Sequence, residues 1–215
     1  MKTETEIKRD VEAELRWEPS VNADHIGVSV RNGVVELDGH VASYYEKRAA
    51  GEAALRVAEV RAIANDLRVE VAIANLRSDA DIAEAARRSL EWNYLLPKSV
   101  KVGVGEGWLT LEGVVEWQYQ KDAAVKSVEA LPGVRGLTDE IVVRPAVNAV
   151  GIKQKIEAAL QRSAALDADR ITVESHEGTV TLRGTVKSWI ERDEAERATW
   201  SAPGVAHVVD LIDIA

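Results

Sequence analysis

The sequence predicts an α+β protein of three tandem αββαβ units, each a three-stranded mixed sheet covered on one face by two helices. Three observations predict it. One strand phrase occurs three times: Gly33-Val-Val-Glu-Leu-Asp-Gly39, Gly107-Trp-Leu-Thr-Leu-Glu-Gly113 and Gly178-Thr-Val-Thr-Leu-Arg-Gly184, at offsets of 74 (107 − 33) and 71 (178 − 107). Such self-similarity marks a repeated supersecondary unit. Ahead of each phrase, apolar residues recur every four positions; beside and after it they alternate, so the period changes from helical to extended. The register persists, since 21 residues beyond each second glycine stand Val60, Val134 and Val205. The chain therefore divides into domains at residues 1–71, 78–144 and 147–215.

Helix one of each unit is written in Ile7/Val11/Leu15, Ile82/Ala86/Leu90 and Ile152/Ile156/Leu160, one apolar stripe per copy. Its start is marked by Thr3 with Glu6 and by Ser78 with Asp81, where side-chain oxygens satisfy the free amides of a first turn; the third copy offers Asn148. Strand one follows in Ile26/Val28/Val30, Val100/Val102/Val104 and Ile171/Val173. Each run ends at Asn32-Gly33, Glu106-Gly107 or Glu177-Gly178, pairs that suit a tight hairpin turn. Strand two then places Val35/Leu37, Leu109/Leu111 and Val180/Leu182 on one face.

Helix two is announced by capping boxes at Ser43/Glu46 and Ser188/Glu191, whereas the second copy has Trp117 and Gln120 there and caps differently. Its inner face is small: Ala50, Ala124 and Ala195 align, as do Ala53, Ser127 and Ala198. Pro-Gly-Val stops it at Val134 and Val205; the first copy has Ala58-Glu59-Val60 and requires another exit. Strand three is Leu67/Val69/Val71, Ile141/Val143 and Leu211/Ile212/Ile214. Helix two crosses over from strand two to strand three, which makes that pair parallel.

The Gly-x-Val-x-Leu-x-Gly phrase, the valine after it (Val41, Val115, Val186), the valine before the last strand and the Asn or Asp beyond it (Asn65, Asp139, Asp210) resemble the BON domain family across the whole chain. Trp17-Glu-Pro-Ser-Val21, Leu90-Glu-Trp-Asn93 and Trp200-Ser-Ala-Pro-Gly-Val205 are similar to its three-copy, OsmY-like branch, labelled transport-associated or hyperosmotically inducible. The resemblance implies a stress-associated binding module. In lipid-binding members of the family it implicates helix one of the second copy and the adjoining loop.

Composition is that of a folded protein, with 46% hydrophobic and 29% charged residues. A unit of this size buries only about 60% of its unfolded surface, so docking between copies is expected. The connectors 72–77 and 144–147 carry Ile73, Leu76, Pro145 and Val147 in place of a Gly/Ser tether. A row and a closed triangle of copies both fit. With no cysteine there is no disulfide, thiolate metal site or thiol nucleophile. The first residues hold no apolar run, which places the chain in the cytoplasm as given, or in the periplasm if the start was processed. No window approaches a transmembrane span.

Net charge is −9, and basic against acidic residues number 10 to 14, 9 to 11 and 8 to 11 over 1–71, 72–146 and 147–215. No copy carries the clustered positive footprint of a nucleic-acid module. The segment Glu91-Trp-Asn-Tyr-Leu-Leu-Pro-Lys98 is the candidate site: Trp92, Tyr94, Leu95 and Leu96 stand beside Arg87, Arg88, Lys98 and Lys101. The first copy has Arg16 to Val21 there and the third Gln161 to Leu166, neither with four large apolar groups. Rings beside cations suit a bilayer interface, where the ring lies at headgroup level and the cation meets phosphate. Because Trp92 and Trp17 share a repeat position, a plug between copies fits as well.

Other motifs reduce to structure. Gly103-Val-Gly-Glu-Gly107 closes a hairpin and no helix follows to hold an anion. His25, His40, His176 and His207 are scattered without metal spacing. Trp108 and Trp117 are placed to share a patch with Tyr119. No nucleophile, base and orienting group stand together, so the expectation is a non-enzyme without cofactor or metal. It binds phospholipid headgroups or a membrane-associated protein partner through the second copy; the alternative is a soluble interaction scaffold or stress-protective protein without lipid binding.

Overall fold

The structure, a computed structural model, describes residues 2–147, 151–164 and 166–214. The first copy runs α1 (Glu4–Trp17), β1 (Ile26–Arg31), β2 (Val34–Val41), α2 (Tyr44–Leu55), β3 (Ala62–Asn65) and β4 (Arg68–Val69). The second runs α3 (Asp79–Trp92), β5 (Lys101–Gly105), β6 (Trp108–Val115), α4 (Gln118–Val128) and β7 (Gly136–Val143). The third runs α5 (Ile152–Arg162), β8 (Ile171–His176), β9 (Thr179–Val186), α6 (Trp189–Trp200) and β10 (His207–Ile214). In every sheet the second strand of the copy is central. The hairpins pair antiparallel, with Val28 opposite Leu37, Val102 opposite Leu111 and Val173 opposite Leu182. After the helical crossover, β2 pairs parallel with β3 and β9 with β10.

The sequence stripes are the cores. Ile7, Val11 and Leu15 close on Val35, Leu37 and the alanines of α2. Ile152, Ile156 and Leu160 do the same with Val180, Leu182 and Ala195. In the second copy Ile82, Ala86, Leu90, Leu109, Leu111 and Ala124 are all buried. Fully burying each such Leu or Ile contributes roughly 1.5–3 kcal/mol. The Thr3/Glu6 and Ser78/Asp81 capping boxes both close; Asn148 lies outside the described residues. In α2 and α6 the serine accepts as expected, but the glutamate reaches one residue further back: Glu46 accepts from Ala42 and Asn22 amides, and Glu191 from that of Lys187. Glu46 is thus a buried carboxylate with both oxygens satisfied.

Three details differ from the sequence reading. The first copy leaves helix two by the same turn as the others: Val60, Val134 and Val205 donate to Val57, Leu131 and Ala202. Glu59 takes the left-handed φ of +70° there, where Gly133 and Gly204 have +91°. In strand three the buried residue of the last copy is Ile212, while Leu211 is exposed and Val71 lies beyond the end of β4. In the connector between the first two copies the apolar residues are exposed, Ile73 at 88% and Leu76 at 48%.

Contacts divide the chain into two compact units, Met1–Gly113 with Gln120–Val142, and Val114–Tyr119 with Val143–Ala215. Within the first unit Arg48 of α2 reaches Glu129 at the end of α4 while its second amino group holds Glu52 at 2.6 Å.

Candidate functional site

Packing of Ile82, Ala86 and Leu90 against the sheet turns the opposite face of α3 outward. That face carries an ion-pair ladder. Arg87 bonds Glu84 at 2.9 Å and Glu91 at 2.5 Å, and Arg88 bonds Glu84 at 2.7 Å. The two guanidiniums hold the Glu84 carboxyl down at about 2. Both arginines therefore stand charge-neutralised by their own helix. Glu84 and Glu91, three residues before and four after Arg87, are the spacing from which this was legible.

Asn93 caps α3 and organises the loop beyond it. Its amide donates to the Leu90 carbonyl at 3.3 Å, its Nδ2 to Ser127 Oγ at 3.0 Å, and its Oδ1 accepts from Leu95 N–H at 3.1 Å. Gln120 Nε2 donates to the Leu95 carbonyl at 3.0 Å, and Ser89 Oγ to the Ser127 carbonyl at 2.6 Å. The end of α3 and the loop are thus tied to α4 at three points, through Ser89, Asn93 and the Leu95 carbonyl. The sequence reading named the apolar side chains and missed these anchors, although Asn at a helix end is a capping signal.

On that frame Trp92 and Tyr94 project, 87% and 91% exposed, while Leu95 and Leu96 are half-buried. Lys98 and Lys101 are exposed. Leu90, Tyr94, Leu96, Pro97, Val100 and Val102 line a groove of about 910 Å³ between α3, the loop and the edge strand β5, with Lys98 and Lys101 also on its wall. Of the site residues anticipated from sequence, Arg87, Tyr94, Leu96, Lys98 and Lys101 share the groove lining, whereas Leu95, whose carbonyl is held by Gln120, and Arg88 and Trp92 lie outside it.

The plug between copies is not formed, because Trp17 is 82% exposed and Trp92 is exposed with it. The corresponding first-copy loop is held down by Glu18, which takes Ser20 and Arg56. In the third copy Leu166 packs on the core, and Ala165 lies outside the described residues.

The remaining candidates separate likewise. Glu106 and Gly107 form the turn between β5 and β6, both amides donating to Asp79 at 2.8 Å. His25 and His40 stack with ring centroids 4.5 Å apart. Among the described residues no group of three or more His, Cys, Asp or Glu is placed to hold a metal ion. Trp117 and Tyr119 do approach, at 6.5 Å, but Trp108 is not with them. It stands at the far end of β6, a strand about 25 Å long, with Nε1 donating to Thr138. Among the described residues no helix is long and apolar enough to cross a membrane.

Three stretches match the BON domain family model, residues 3–71, 78–145 and 148–215. The osmotically-inducible protein Y of Escherichia coli strain K12 is 27% identical over 145 residues, covering 63% of this chain and 72% of that protein. Among solved structures, CdsD, a structural protein of the type III secretion system of Chlamydia trachomatis, aligns at 14% identity and TM-score 0.27 over 98% of this chain and 92% of that one. The periplasmic domain of the type III secretion inner membrane protein PrgH from S. typhimurium aligns at 11% and 0.24 over 89% and 96%. At such scores neither bears on fold or function.

Proposed function

This chain belongs to the BON domain family, and from that premise we propose a stress-associated, non-enzymatic binding protein that docks on phospholipid headgroups or a membrane-associated partner through its second copy. Its working units are residues 1–71, 78–144 and 147–215. The observation that carries the reading is the pair of fully presented rings, Trp92 and Tyr94, on a loop whose backbone is anchored by Asn93, Ser127 and Gln120. Pre-anchoring lowers the ordering cost of binding. The stress association rests on the name of the E. coli relative.

Electrostatics set the strength. Arg87 and Arg88 are occupied by Glu84 and Glu91, so attraction to phosphate falls to Lys98 and Lys101 on a chain of net charge −9. Their reach is about 8–10 Å at ordinary salt, so binding is weak and salt-sensitive. Flotation with anionic and zwitterionic liposomes at low and physiological salt tests this. Wild type floats with anionic vesicles at low salt, and Trp92→Ala/Leu95→Ala/Leu96→Ala, checked for folding, does not. Wild type that never floats overturns the lipid reading.

The groove itself favours the second reading, a scaffold for polypeptides, because it runs beside the open edge of β5 where a partner strand can add. Suppression of client aggregation by the purified chain, without flotation, selects that reading.

A further inference from the structure

The sheet face turned away from the helices differs sharply between copies, and in the second copy it is built around one indole. Strand β6 points Leu109 and Leu111 into the core, so Trp108 and Thr110 stand on the opposite face. A Cβ built on Gly136 falls 2.2 Å from the Trp108 ring, so the indole lies directly on that glycine. Its Nε1 donates to Thr138 Oγ1 at 2.8 Å. One face of the ring is seated on backbone, its rotation is fixed by the hydroxyl, and the residue remains 50% exposed. Beside it, Gly105 pairs with Trp108 and Gly103 with Thr110, and a Cβ at either glycine would meet nothing within 4 Å. The ring is therefore bordered by a bare shelf of backbone, followed by the cross-strand pair Lys101 and Glu112.

The other copies have none of this. Where the second has Trp108 and Gly136, the first pairs Val34 with Ala62 and the third pairs Thr179 with His207. Where it has Gly103 and Gly105, they have Ser29 and Arg31, and Glu174 and His176. Glycine weakens a strand, so two on one face of a short edge strand cost stability with no packing return.

We propose that this face is a saccharide-binding platform, with Trp108 as the stacking ring for a β-linked, gluco-configured oligosaccharide. The electron-rich face of an indole attracts polarised C–H groups. A pyranose with all its substituents equatorial offers three axial C–H bonds to such a surface and keeps its hydroxyls at the rim. The bare shelf at Gly105 and Gly103 leaves room for the adjoining sugar in an extended chain. Thr110, Lys101 and Glu112 supply donors and acceptors at its edge. Because the ring is already locked by Gly136 and Thr138, little conformational freedom is lost on binding. The platform shares only Lys101 with the groove and uses neither Trp92 nor Tyr94, so it is tested separately from membrane docking.

The test is titration of the isotope-labelled full chain with cellohexaose, and with α-linked maltohexaose for comparison, followed through its six tryptophan indole N–H signals and, in variants that lack Trp108, through the backbone amides of Gly103, Gly105 and Thr110. The Trp108 signal is identified by its loss in Trp108→Phe. It is expected to shift saturably with cellohexaose with a Kd in the millimolar range, as one stacking contact allows, and less with maltohexaose. Trp108→Ala is expected to weaken binding at least about tenfold, Trp108→Tyr to retain part of it, and Trp92→Ala to leave it unchanged. Thr138→Val, which frees the ring without removing it, is expected to weaken binding about two- to fivefold. A Trp108 signal that does not move with either sugar at about 10 mM overturns the proposal. So does a response that persists undiminished in a folded Trp108→Ala chain.

Discussion

Glu59 holds the least comfortable backbone in the first copy. At φ +70° its Cβ crowds the following carbonyl, where the equivalent Gly133 and Gly204 have no Cβ to crowd. Its carboxylate accepts an exposed hydrogen bond from the Lys2 amide at 2.7 Å. Glu59→Gly is expected to stabilise the first copy by about 1 kcal/mol, and Gly133→Ala to destabilise the second by at least as much. The second effect is reinforced because a Cβ there falls 2.9 Å from Ile82 Cδ1. Urea denaturation midpoints at constant slope decide both. The sequence suggested a different exit for the first copy because Ala58-Glu59-Val60 lacks the stop residues. Tertiary context overrode that local preference: the Gly33 carbonyl accepts from Arg61 just as Gly107 accepts from Arg135, fixing the chain path whatever residue stands between.

At the scale of elements, α3 shows how a helix neutralises its own charge. Glu84 accepts from both arginines, which hold its carboxyl at about 2 against an ordinary value near 4.5. The folded pKa lies below the unfolded one, so the contribution is complete above about 4.5 and is lost as pH falls from there to about 2. NMR of the Glu84 side-chain carboxyl is expected to titrate near 2 in wild type and to move up towards the ordinary range in Arg87→Gln. A titration near 4.5 in wild type would show that the ladder does not form in solution. The helices, hairpins and strand two were legible because period and turn chemistry agree there, as at Ile82/Ala86/Leu90 and Asn32-Gly33. Strand three was less so. In the first copy it breaks after Asn65, whose Oδ1 is the one buried side-chain oxygen or nitrogen without a partner among the described residues. Asp139 and Asp210 at that position instead accept from the amides of Ile141 and Ile212, and β7 and β10 continue.

For the molecule as a whole, the first two copies are bridged by Arg48 and Glu129, side chains 34% and 11% exposed. Tyr44 lies against the same pair, its phenol pushed up by burial. A double-mutant cycle over Arg48→Ala and Glu129→Ala is expected to return a coupling of about 1 kcal/mol, since the pair is only partly screened. Additive effects would mean that the bridge does not join the copies. None of this was readable beforehand: the two residues are 81 apart in sequence and neither belongs to the repeat pattern. The candidate site was readable as a cluster of residue types, Trp92 to Lys101, because the second copy departs there from its siblings. Its electrostatic character was overlooked by a count of cations, although the spacing of Glu84 and Glu91 about Arg87 on one helix carries it.

The second glycines of the three phrases, Gly39, Gly113 and Gly184, lie so close to the His25, Ser99 and Arg170 carbonyls that a Cβ would fall 2.0, 2.5 and 2.0 Å from them. What the copies cannot vary is therefore a backbone crossing, not a set of side chains. After duplication, each descendant inherits a frame pinned by a few atoms and a surface under almost no structural constraint. One copy can then change its exposed face, as the second has at Trp108, without disturbing the crossing on which all three are built.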